Sequence, residues 1–267
     1  MRLELDGTVS KRYKSNSQKA RIITERWIAQ NMYCSRCGCE TLQQLPNNMP
    51  VSDFLCPQCQ NIFELKATQR KLGRKIDDGA YATMIQRIHS TTNPDFLFMS
   101  YNLELQCINQ LIVVPKFYFT EVVPKFYFTE AVIEKRKPLS SHAKRAGWTG
   151  CNILLGNIPA YGRIAVIQDK KIMPKNGVCR QYQQTDFIRN LKMQRRGWVL
   201  DILQCLERIP QDTFSLDDMY HFSHNLQQLH PENHHIEAKI RQQLQVLRDH
   251  KIIEFLGQGQ YRKVMTE

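Results

Sequence analysis

Two pairs of cysteines in this chain have the spacing of a metal site. Cys34 and Cys37 form one C-x2-C unit, Cys56 and Cys59 form a second, and eighteen residues lie between the units. Four thiolates on two such knuckles give the closed tetrahedral ligand set that structural Zn²⁺ prefers. An odd total of nine cysteines indicates a reducing compartment and not a disulfide framework. The spacing predicts one structural zinc site, for which Cys39 is a competing ligand.

A second pattern, Asp53 followed by Glu64 and Lys66, lies across the second cysteine pair. Oxygen ligands of this kind suit Mg²⁺, and Asp with a later Glu-x-Lys is typical of a nuclease. Lys66 falls on the face of Glu64 because side chains alternate along a strand, and the backbone carbonyl of Leu65 is a further candidate ligand. Lys66 would then orient or deprotonate the attacking water. The alternative is a solvated hairpin face with a salt bridge, because so short a pattern also arises by chance.

The elements that must position these residues follow from the hydrophobic pattern. Short apolar runs at residues 51–55 and 62–65 predict a β-hairpin with zinc knuckles at its tips. A capped amphipathic helix is predicted over residues 19–28. A helix is also expected at residues 81–88, and strands at residues 96–101, 108–114 and 163–168. This mixture predicts an α/β or α+β domain.

The last third of the chain has the pattern of a DNA-binding domain. Apolar residues at helical spacing after Trp198, a capping box at residues 215–218 and an apolar face over residues 233–249 predict three helices. A hairpin is predicted over residues 252–264. This order is typical of a winged helix, whose third helix enters the major groove. The alternative is a three-helix bundle whose polar face meets only water.

Charge restricts the partners of the protein. The formal net charge is +12 and the pI is near 9.3, which favours a polyanion, although membrane surfaces also attract basic proteins. Residues 1–195 contain 29 Lys and Arg against 15 Asp and Glu, while residues 196–267 contain 8 against 10. No apolar run approaches the roughly 20 residues of a spanning helix, and the first residues lack the apolar core of a signal peptide. We therefore expect a soluble, unexported protein without a membrane partner.

Residues 113–121 are repeated without change as residues 122–130. A nine-residue unit is too short for a repeat fold, and two copies cannot form a solenoid. An odd-numbered insertion within a strand would turn every later side chain to the opposite face. We therefore expect a tandem duplication whose extra copy loops out or extends a turn.

The chain resembles the DpnI family of methyl-directed restriction endonucleases over nearly its whole length. The matching stretches are residues 13–21, both cysteine pairs, Asp53, residues 63–66, 78–84, 145–148 and 240–249. The resemblance implies an α/β PD-(D/E)XK nuclease core with an inserted zinc-ribbon-like element over residues 1–190, and a winged-helix domain, mostly α, over residues 191–267. The duplicated nine-residue unit departs from the family pattern.

The resemblance also implies an activity and its residues. The family cleaves double-stranded DNA at GATC when the adenine is methylated, and it uses Mg²⁺. The catalytic residues would be Asp53, Glu64 and Lys66, with Mg²⁺ held by Asp53, Glu64 and the Leu65 carbonyl, and Zn²⁺ held by Cys34, Cys37, Cys56 and Cys59. The protein would act as a monomer in the cytoplasm of a prokaryotic cell.

DNA contacts are predicted at three places. A methyl group on the adenine amino nitrogen puts an apolar bump in the major groove, so its reader needs an apolar or aromatic surface. Trp148 beside Arg145 is the candidate in the nuclease domain, and a core tryptophan is the alternative. The remaining candidates are Ser15, Asn16, Ser17 and Lys19 in the first domain and Asn233, His234, His235, Lys239, Arg241 and Gln242 in the winged helix, where Gln and Asn can pair with adenine and Arg with guanine.

The function predicted from all of this is a methylation-dependent type II restriction endonuclease. The rival from another class is a non-catalytic, zinc-containing winged-helix regulator that binds DNA. The presence of Asp53, Glu64 and Lys66 together argues against the rival, because a protein without the chemistry has no reason to retain all three.

Overall fold

The computed structural model describes residues 1–46, 52–90, 93–119 and 132–264. The first part is a mixed α/β core. Its elements, in chain order, are α1 (Asn16–Asn31), β1 (Gln43–Gln44), β2 (Phe54–Leu55), β3 (Ile62–Thr68), β4 (Ile76–Ala80), α2 (Tyr81–Ile88), β5 (Asp95–Asn102), β6 (Cys107–Val114), β7 (Ile133–Lys135), β8 (Gly150–Ile153), β9 (Ile164–Gln168), β10 (Lys171–Ile172) and α3 (Lys175–Asp186).

Seven of these strands form one sheet in the order β1-β2-β3-β5-β6-β9-β10. Strands β3 and β5 run parallel, and the other neighbours are antiparallel. Residues 95–101 of β5 are all buried, as expected for a strand at the centre of a sheet that is covered on both faces. The predicted hairpin, the three other predicted strands and the helix at residues 81–88 are confirmed, apart from residue 51, which lies outside the described residues.

A second sheet has the order β4-β8-β7 and is antiparallel throughout. Asp78 of β4 lies opposite Cys151 of β8, and Ala80 lies opposite Gly150. The sequence pattern did not predict this sheet. Its importance is that β4 follows β3 along the chain and so stays close to the strand that carries Glu64.

Helix α1 is longer than predicted, since it begins before residue 19 and ends after residue 28. Ser15 has the extended backbone of an N-cap, but its side chain caps no backbone N–H. Its hydroxyl lies 2.7 Å from that of Ser17 instead. The helix is held by burial of Ile23, Trp27 and Ile28 against the large sheet.

The last part of the chain is a helix-turn-helix domain with a β-wing. Its elements are α4 (Met193–Arg208), β11 (Thr213–Ser215), α5 (Leu216–Tyr220), α6 (Ser223–Leu229), α7 (Ile236–Asp249), β12 (Ile253–Gly257) and β13 (Gln260–Lys263). The capping box at Ser215 and Asp218 is formed by both of its hydrogen bonds. Strands β12 and β13 are the predicted hairpin, and β11 adds a third strand in the order β11-β13-β12. The winged-helix fold is confirmed.

Two details of this domain differ from expectation. The helix opened by the capping box ends after five residues, and a separate helix, α6, follows it. The third helix begins at Ile236 and not near residue 233, because the side-chain oxygen of Asn233 accepts the backbone N–H of His235 in a turn, at 2.8 Å.

The helix-turn-helix domain packs directly on the α/β core. Gln204 Nε2 donates to the carbonyl of Asn157 at 2.6 Å, and the Phe187 ring stacks on His250 at 3.8 Å between centroids. One hydrophobic cluster contains residues from both parts. The two parts therefore share a buried contact and are not joined by a linker alone.

The first copy of the nine-residue repeat belongs to the core. Residues 113 and 114 end β6, and Phe117, Tyr118 and Phe119 are buried. The backbone N–H of Lys116 donates to the buried carboxylate of Asp95 at 2.9 Å. The second copy lies outside the described residues, so the looping out of the extra copy stays a prediction. Within the described residues, no helix combines the length and the apolar character needed to cross a membrane.

Candidate active site and DNA-reading surfaces

The four cysteines of the two C-x2-C units meet at one point. The sulfur atoms of Cys34, Cys37, Cys56 and Cys59 all lie within 4.8 Å of one another. The Cys34–Cys59 and Cys37–Cys56 sulfur separations are 3.6 Å and 3.5 Å. Ligands about 2.3 Å from one tetrahedral zinc ion are separated by roughly 3.8 Å, so the cluster fits a zinc ion. Cys39 is not part of the cluster.

The second cysteine pair forms the connection between β2 and β3. Cys56 N–H donates to the Asn61 carbonyl at 2.8 Å, and Gln60 N–H donates to the Cys56 carbonyl at 3.0 Å. Strand β2 has only two residues, so few ladder bonds hold it to β3. A short hairpin of this kind is marginal alone. A metal ion on Cys56 and Cys59 would fix the turn between the strands.

Asp53 lies immediately before β2 and next to β3. Its backbone N–H donates to the Phe63 carbonyl at 3.0 Å, and its Oδ2 accepts the N–H of Leu65 at 2.8 Å. The N–H and C=O of one strand residue point to the same edge, so the Leu65 carbonyl also faces the side of Asp53. These bonds bring Asp53 to the part of β3 that carries Glu64 and the Leu65 carbonyl.

Glu64 and Lys66 share one face of β3, and Lys66 also reaches the second sheet. Lys66 Nζ lies 2.5 Å from Glu64 Oε1 and forms another ion pair with Asp78 of β4. The side chains of Lys66, Glu64 and Asp78 are only 18%, 13% and 6% exposed, so solvent screens the three charges weakly. The lysine therefore joins the two sheets through two carboxylates.

The charges of this cluster determine its protonation. Burial alone lowers the pKa of Lys66, but the carboxylates of Glu64 and Asp78 outweigh burial and hold that pKa above its ordinary value. Burial raises the pKa of Glu64, and the charge of Lys66 opposes the rise. Lys66 is therefore an ammonium group at neutral pH and donates hydrogen bonds.

One carboxylate oxygen of Glu64 lacks a hydrogen-bond partner among the described residues. Glu64 Oε2 is buried and accepts no hydrogen bond from the described residues. A buried charged oxygen without a partner costs at least about 1–3 kcal/mol of stability. Carboxylate oxygens are the ligands that Mg²⁺ prefers. The unpartnered Glu64 oxygen and the nearby Asp53 carboxylate are the type of oxygen ligands that bind a divalent cation.

Helix α1 adds a third carboxylate beside the hairpin. Glu25 is buried. Its Oε1 accepts a hydrogen bond from Arg21 Nε at 2.5 Å, and its Oε2 accepts one from the Gln44 amide at 3.0 Å. Burial raises the pKa of Glu25, the Arg21 charge lowers it, and the nearby Asp53 raises it further. Because both of its oxygens are bonded, Glu25 serves to fix α1 against β1.

Two of the predicted contacts at the start of α1 lie beside β3. A cleft of about 450 Å³ separates the helix from β3, and Asn16, Ser17 and Leu65 line it. Ser15 is exposed at the N-cap, and Lys19 is half-exposed on the first turn. Asn16 and Ser17 therefore face β3 at Leu65, the residue whose N–H bonds Asp53, whereas Ser15 and Lys19 do not line the cleft.

The connection between β7 and β8 carries Arg145 and Trp148. The loop is closed by hydrogen bonds between Leu139 and Trp148 and between Gly147 and Leu139, at 2.9 Å and 3.0 Å. The Arg145 guanidinium lies 4.8 Å from the centre of the Trp148 ring. An added Cβ at Gly150 would lie 2.8 Å from that ring, so the tryptophan covers the glycine.

Trp148 is not a core residue, which removes the alternative. It is half-exposed and belongs to neither hydrophobic cluster of the described residues. The loop is also close to the cluster around Lys66 through β4, because Tyr81 N–H donates to the Thr149 carbonyl at 3.1 Å and Asp78 pairs with Cys151. An aromatic surface thus lies one strand away from the partner of Lys66.

Helix α7 has the predicted division into a buried and a polar face. Ile236, Ile240, Leu244 and Leu247 are buried. The polar face is partly ordered by its own contacts and is otherwise open.

On that polar face, Lys239 Nζ donates to Gln242 Oε1 at 2.7 Å and lies 5.8 Å from the centre of the Trp198 ring. Arg241 donates to the Tyr220 hydroxyl, and its guanidinium lies over the Tyr220 ring. His234 and His235 are exposed at the start of the helix. The predicted base-reading residues therefore lie at the start and along the polar side of α7, with Lys239 against Trp198 and Arg241 against Tyr220.

Sequence patterns missed Asp78 and Glu25. Asp78 lies in a stretch that matches the family, but no spacing rule connects it to Lys66, since their contact depends on how β4 pairs with β8, more than seventy residues later in the chain. Glu25 resembles any polar residue of an amphipathic helix. In both cases only the three-dimensional arrangement shows the contact.

Two family models match the chain. Residues 1–191 match the DpnI model, described as the Dam-replacing family. Residues 194–263 match the model of the C-terminal domain, described as the Dam-replacing HTH domain. The first match contains the zinc-type cluster and the Asp53, Glu64 and Lys66 site, and the second contains α7.

Proposed function

Because the chain belongs to the DpnI, or Dam-replacing, family of restriction endonucleases, we propose that it cleaves double-stranded DNA at GATC sites whose adenine is methylated. Its helix-turn-helix domain binds DNA. The proposal makes the protein a type II, methyl-directed deoxyribonuclease that uses Mg²⁺. The observation that carries the chemistry is the buried cluster of Glu64, Lys66 and Asp78 beside Asp53, with Glu64 Oε2 lacking a hydrogen-bond partner among the described residues.

Each side chain of the cluster has a role in phosphodiester hydrolysis. When bound, Mg²⁺ stabilises the charge on the phosphate and makes a coordinated water more acidic. Asp53, Glu64 and the Leu65 carbonyl would hold the ion. Lys66, as an ammonium group, orients the attacking water and donates to a phosphate oxygen as its charge increases. Asp78 keeps the Lys66 head group in place.

Zinc has a structural role in this proposal. Cys34, Cys37, Cys56 and Cys59 would bind Zn²⁺ and hold the turn between β2 and β3. That turn determines the distance between Asp53 and Glu64, because the two residues are on opposite arms of the hairpin. The zinc site would thereby align the Mg²⁺ ligands without taking part in the reaction.

The two parts of the chain divide the recognition of DNA. Residues 1–190 carry the positive charge and the chemistry, and residues 191–267 read bases through Asn233, His234, His235, Lys239, Arg241 and Gln242. Phosphate attraction supplies most of the affinity, and base contacts supply specificity. Ser15, Asn16, Ser17 and Lys19 contact DNA beside the cleavage site. The protein acts on its site as a monomer in the cytoplasm of a prokaryotic cell.

In the nuclease domain, Trp148 is the residue that recognises the methyl group. The partly exposed ring offers an apolar surface to the methyl group. The Arg145 guanidinium, which lies over the ring, keeps it in place. Trp148→Ala should lower the preference for methylated over unmethylated sites, measured as the ratio of cleavage rates on matched duplexes. An unchanged ratio would show that Trp148 does not sense the methyl group.

The proposal is tested by digesting methylated and unmethylated plasmid with Mg²⁺, with EDTA as the control. We expect cutting of the methylated plasmid alone and none with EDTA. Cutting of neither plasmid would exclude the enzyme and favour a DNA-binding regulator. Equal cutting of both would exclude methyl dependence, and cutting in EDTA would exclude the divalent ion.

A further inference from the structure

The segment between β3 and β4 concentrates positive charge beside the candidate active site. Residues 70–75 contain four cations, Leu72 and Gly73, and no acid. Glu64 and Lys66 lie just before the segment, and Asp78 lies just after it. A cleft of about 500 Å³ is lined both by this segment and by Lys66. Arg70, Lys71 and Lys75 therefore open onto the same space as Lys66.

The backbone of the segment is fixed at both ends. The Ser100 hydroxyl donates to the Arg70 carbonyl at 2.9 Å, and Gly156 N–H donates to the Arg74 carbonyl at 2.9 Å. The Arg74 side chain packs so closely that an added Cβ at Gly156 would lie 2.8 Å from its Nε. Lys75 forms an ion pair with Glu134. The fold thus uses Arg74 and Lys75.

Arg70 and Lys71 have no such use in the fold. Both are exposed, both line the cleft, and neither forms an ion pair with another described residue. Four like charges within six residues repel one another. A polyanion in the cleft would relieve this repulsion, and the backbone, already held at both ends, would present both side chains to it with little further loss of backbone entropy.

We propose that Arg70 and Lys71 bind backbone phosphates of the DNA strand that is being cut, next to the scissile bond. The proposal rests on the proposed function, because the partner is the same DNA. Contacts of this type fix the register of a protein on DNA and carry no sequence information. The pair would hold the strand so that the scissile phosphate lies over Lys66.

The test compares two double variants that lose equal charge. Arg70→Ala with Lys71→Ala removes the proposed contacts. Lys170→Ala with Lys171→Ala removes two exposed lysines at β10, the far edge of the large sheet from β3, and is the control. Single-turnover cleavage of a methylated duplex and anisotropy binding without Mg²⁺ are measured over a series of KCl concentrations.

For the Arg70 and Lys71 variant we expect about a tenfold rise in the half-saturating concentration and a salt slope lower by about 2, since each phosphate contact contributes roughly 0.9. The control should match the wild-type protein in both. If the Arg70 and Lys71 variant also matches the control, the phosphate site is refuted. If the wild-type protein binds DNA but never cuts, the proposed function fails while the binding arm still decides the phosphate site.

A second measurement tests the position of the contact. Duplexes with one neutral methylphosphonate at each successive phosphate should weaken binding of the wild-type protein at the contacted positions. The Arg70 and Lys71 variant should become insensitive at one or two of those positions, beside the scissile bond. Insensitivity only at phosphates far from the scissile bond would overturn the assignment.

Discussion

The cluster around Lys66 and the polar face of α7 place charge in opposite environments. Lys66, Glu64 and Asp78 are largely buried and bind one another. Arg241 and Gln242 are exposed, and their contacts are with Tyr220 and Lys239 on the surface of the helix-turn-helix domain. One region holds its charges in a fixed geometry before DNA arrives, and the other leaves them in water.

Because of this difference, mutations should have larger effects in the cluster around Lys66 than on α7. Charges in a weakly screened site interact strongly and depend on small shifts in geometry. Exposed charges are screened by water and salt, and single contacts there contribute little. We therefore expect substitutions around Lys66 to remove the chemistry and substitutions on α7 to reduce affinity by small steps.

Lys66→Ala should have the largest effect. Loss of the ammonium group that orients water and stabilises charge should slow single-turnover cleavage by roughly 1000-fold or more. Binding of methylated DNA, measured by anisotropy, should persist because α7 is unchanged. The variant also leaves two buried carboxylates without a cation, so its melting temperature is measured beside Lys171→Ala, an exposed control. Cleavage at a near-normal rate would show that Lys66 is wrongly assigned.

Cys56→Ser should be the next most severe. The short β2 strand leaves the hairpin dependent on zinc, and a shift of about 1 Å between Asp53 and Glu64 would slow cleavage by about 100-fold. Bound zinc, measured by elemental mass spectrometry, should fall with the activity and with the melting temperature. Cys107→Ser, outside the cluster, is the control. A zinc-free protein with full activity would refute the alignment of the site by zinc.

Asp78→Asn should have an intermediate effect. Asparagine keeps the shape of the side chain but removes one charged partner of Lys66, which is worth about 2 kcal/mol, or roughly thirtyfold in the rate at saturating DNA. Affinity for DNA should not change. Asp77→Asn is the matched control, because Asp77 is the exposed neighbour on the same strand. Equal rates for the two variants would show that Asp78 does not position Lys66, and Asp78→Glu should restore part of the rate if it does.

Patterns within a short stretch of chain predicted most of this arrangement. The cysteine spacing identified the four clustered thiols, and alternation along β3 put Glu64 and Lys66 on one face. The 3.6-residue period predicted the buried face of α7, although the turn at Asn233 moved the start of the helix. Each of these depends on residues that are close in sequence.

Contacts between distant segments were beyond such patterns. The pairing of β4 with β8 brings Asp78 to Lys66, and the parallel pairing of β3 with β5 buries the centre of the sheet. Strand β11 pairs with β13 across the three helices α5, α6 and α7 that separate them in the chain. The stability of these pairings comes from long-range packing, which local propensity does not report.

Arg241→Ala changes the exposed polar face of α7 and should have the smallest effect of the four substitutions. The guanidinium is exposed, and the Tyr220 hydroxyl and ring position it, so its loss should weaken DNA binding by about 1 kcal/mol, or roughly fivefold in Kd. The rate at saturating DNA should be normal, because the cluster around Lys66 is untouched. Arg248→Ala, on the same helix but paired with Asp249, is the matched control. A slower rate at saturating DNA for Arg241→Ala would mean that α7 acts on the chemistry as well as on affinity, and the separation between a buried catalytic region and an exposed reading region would then be wrong.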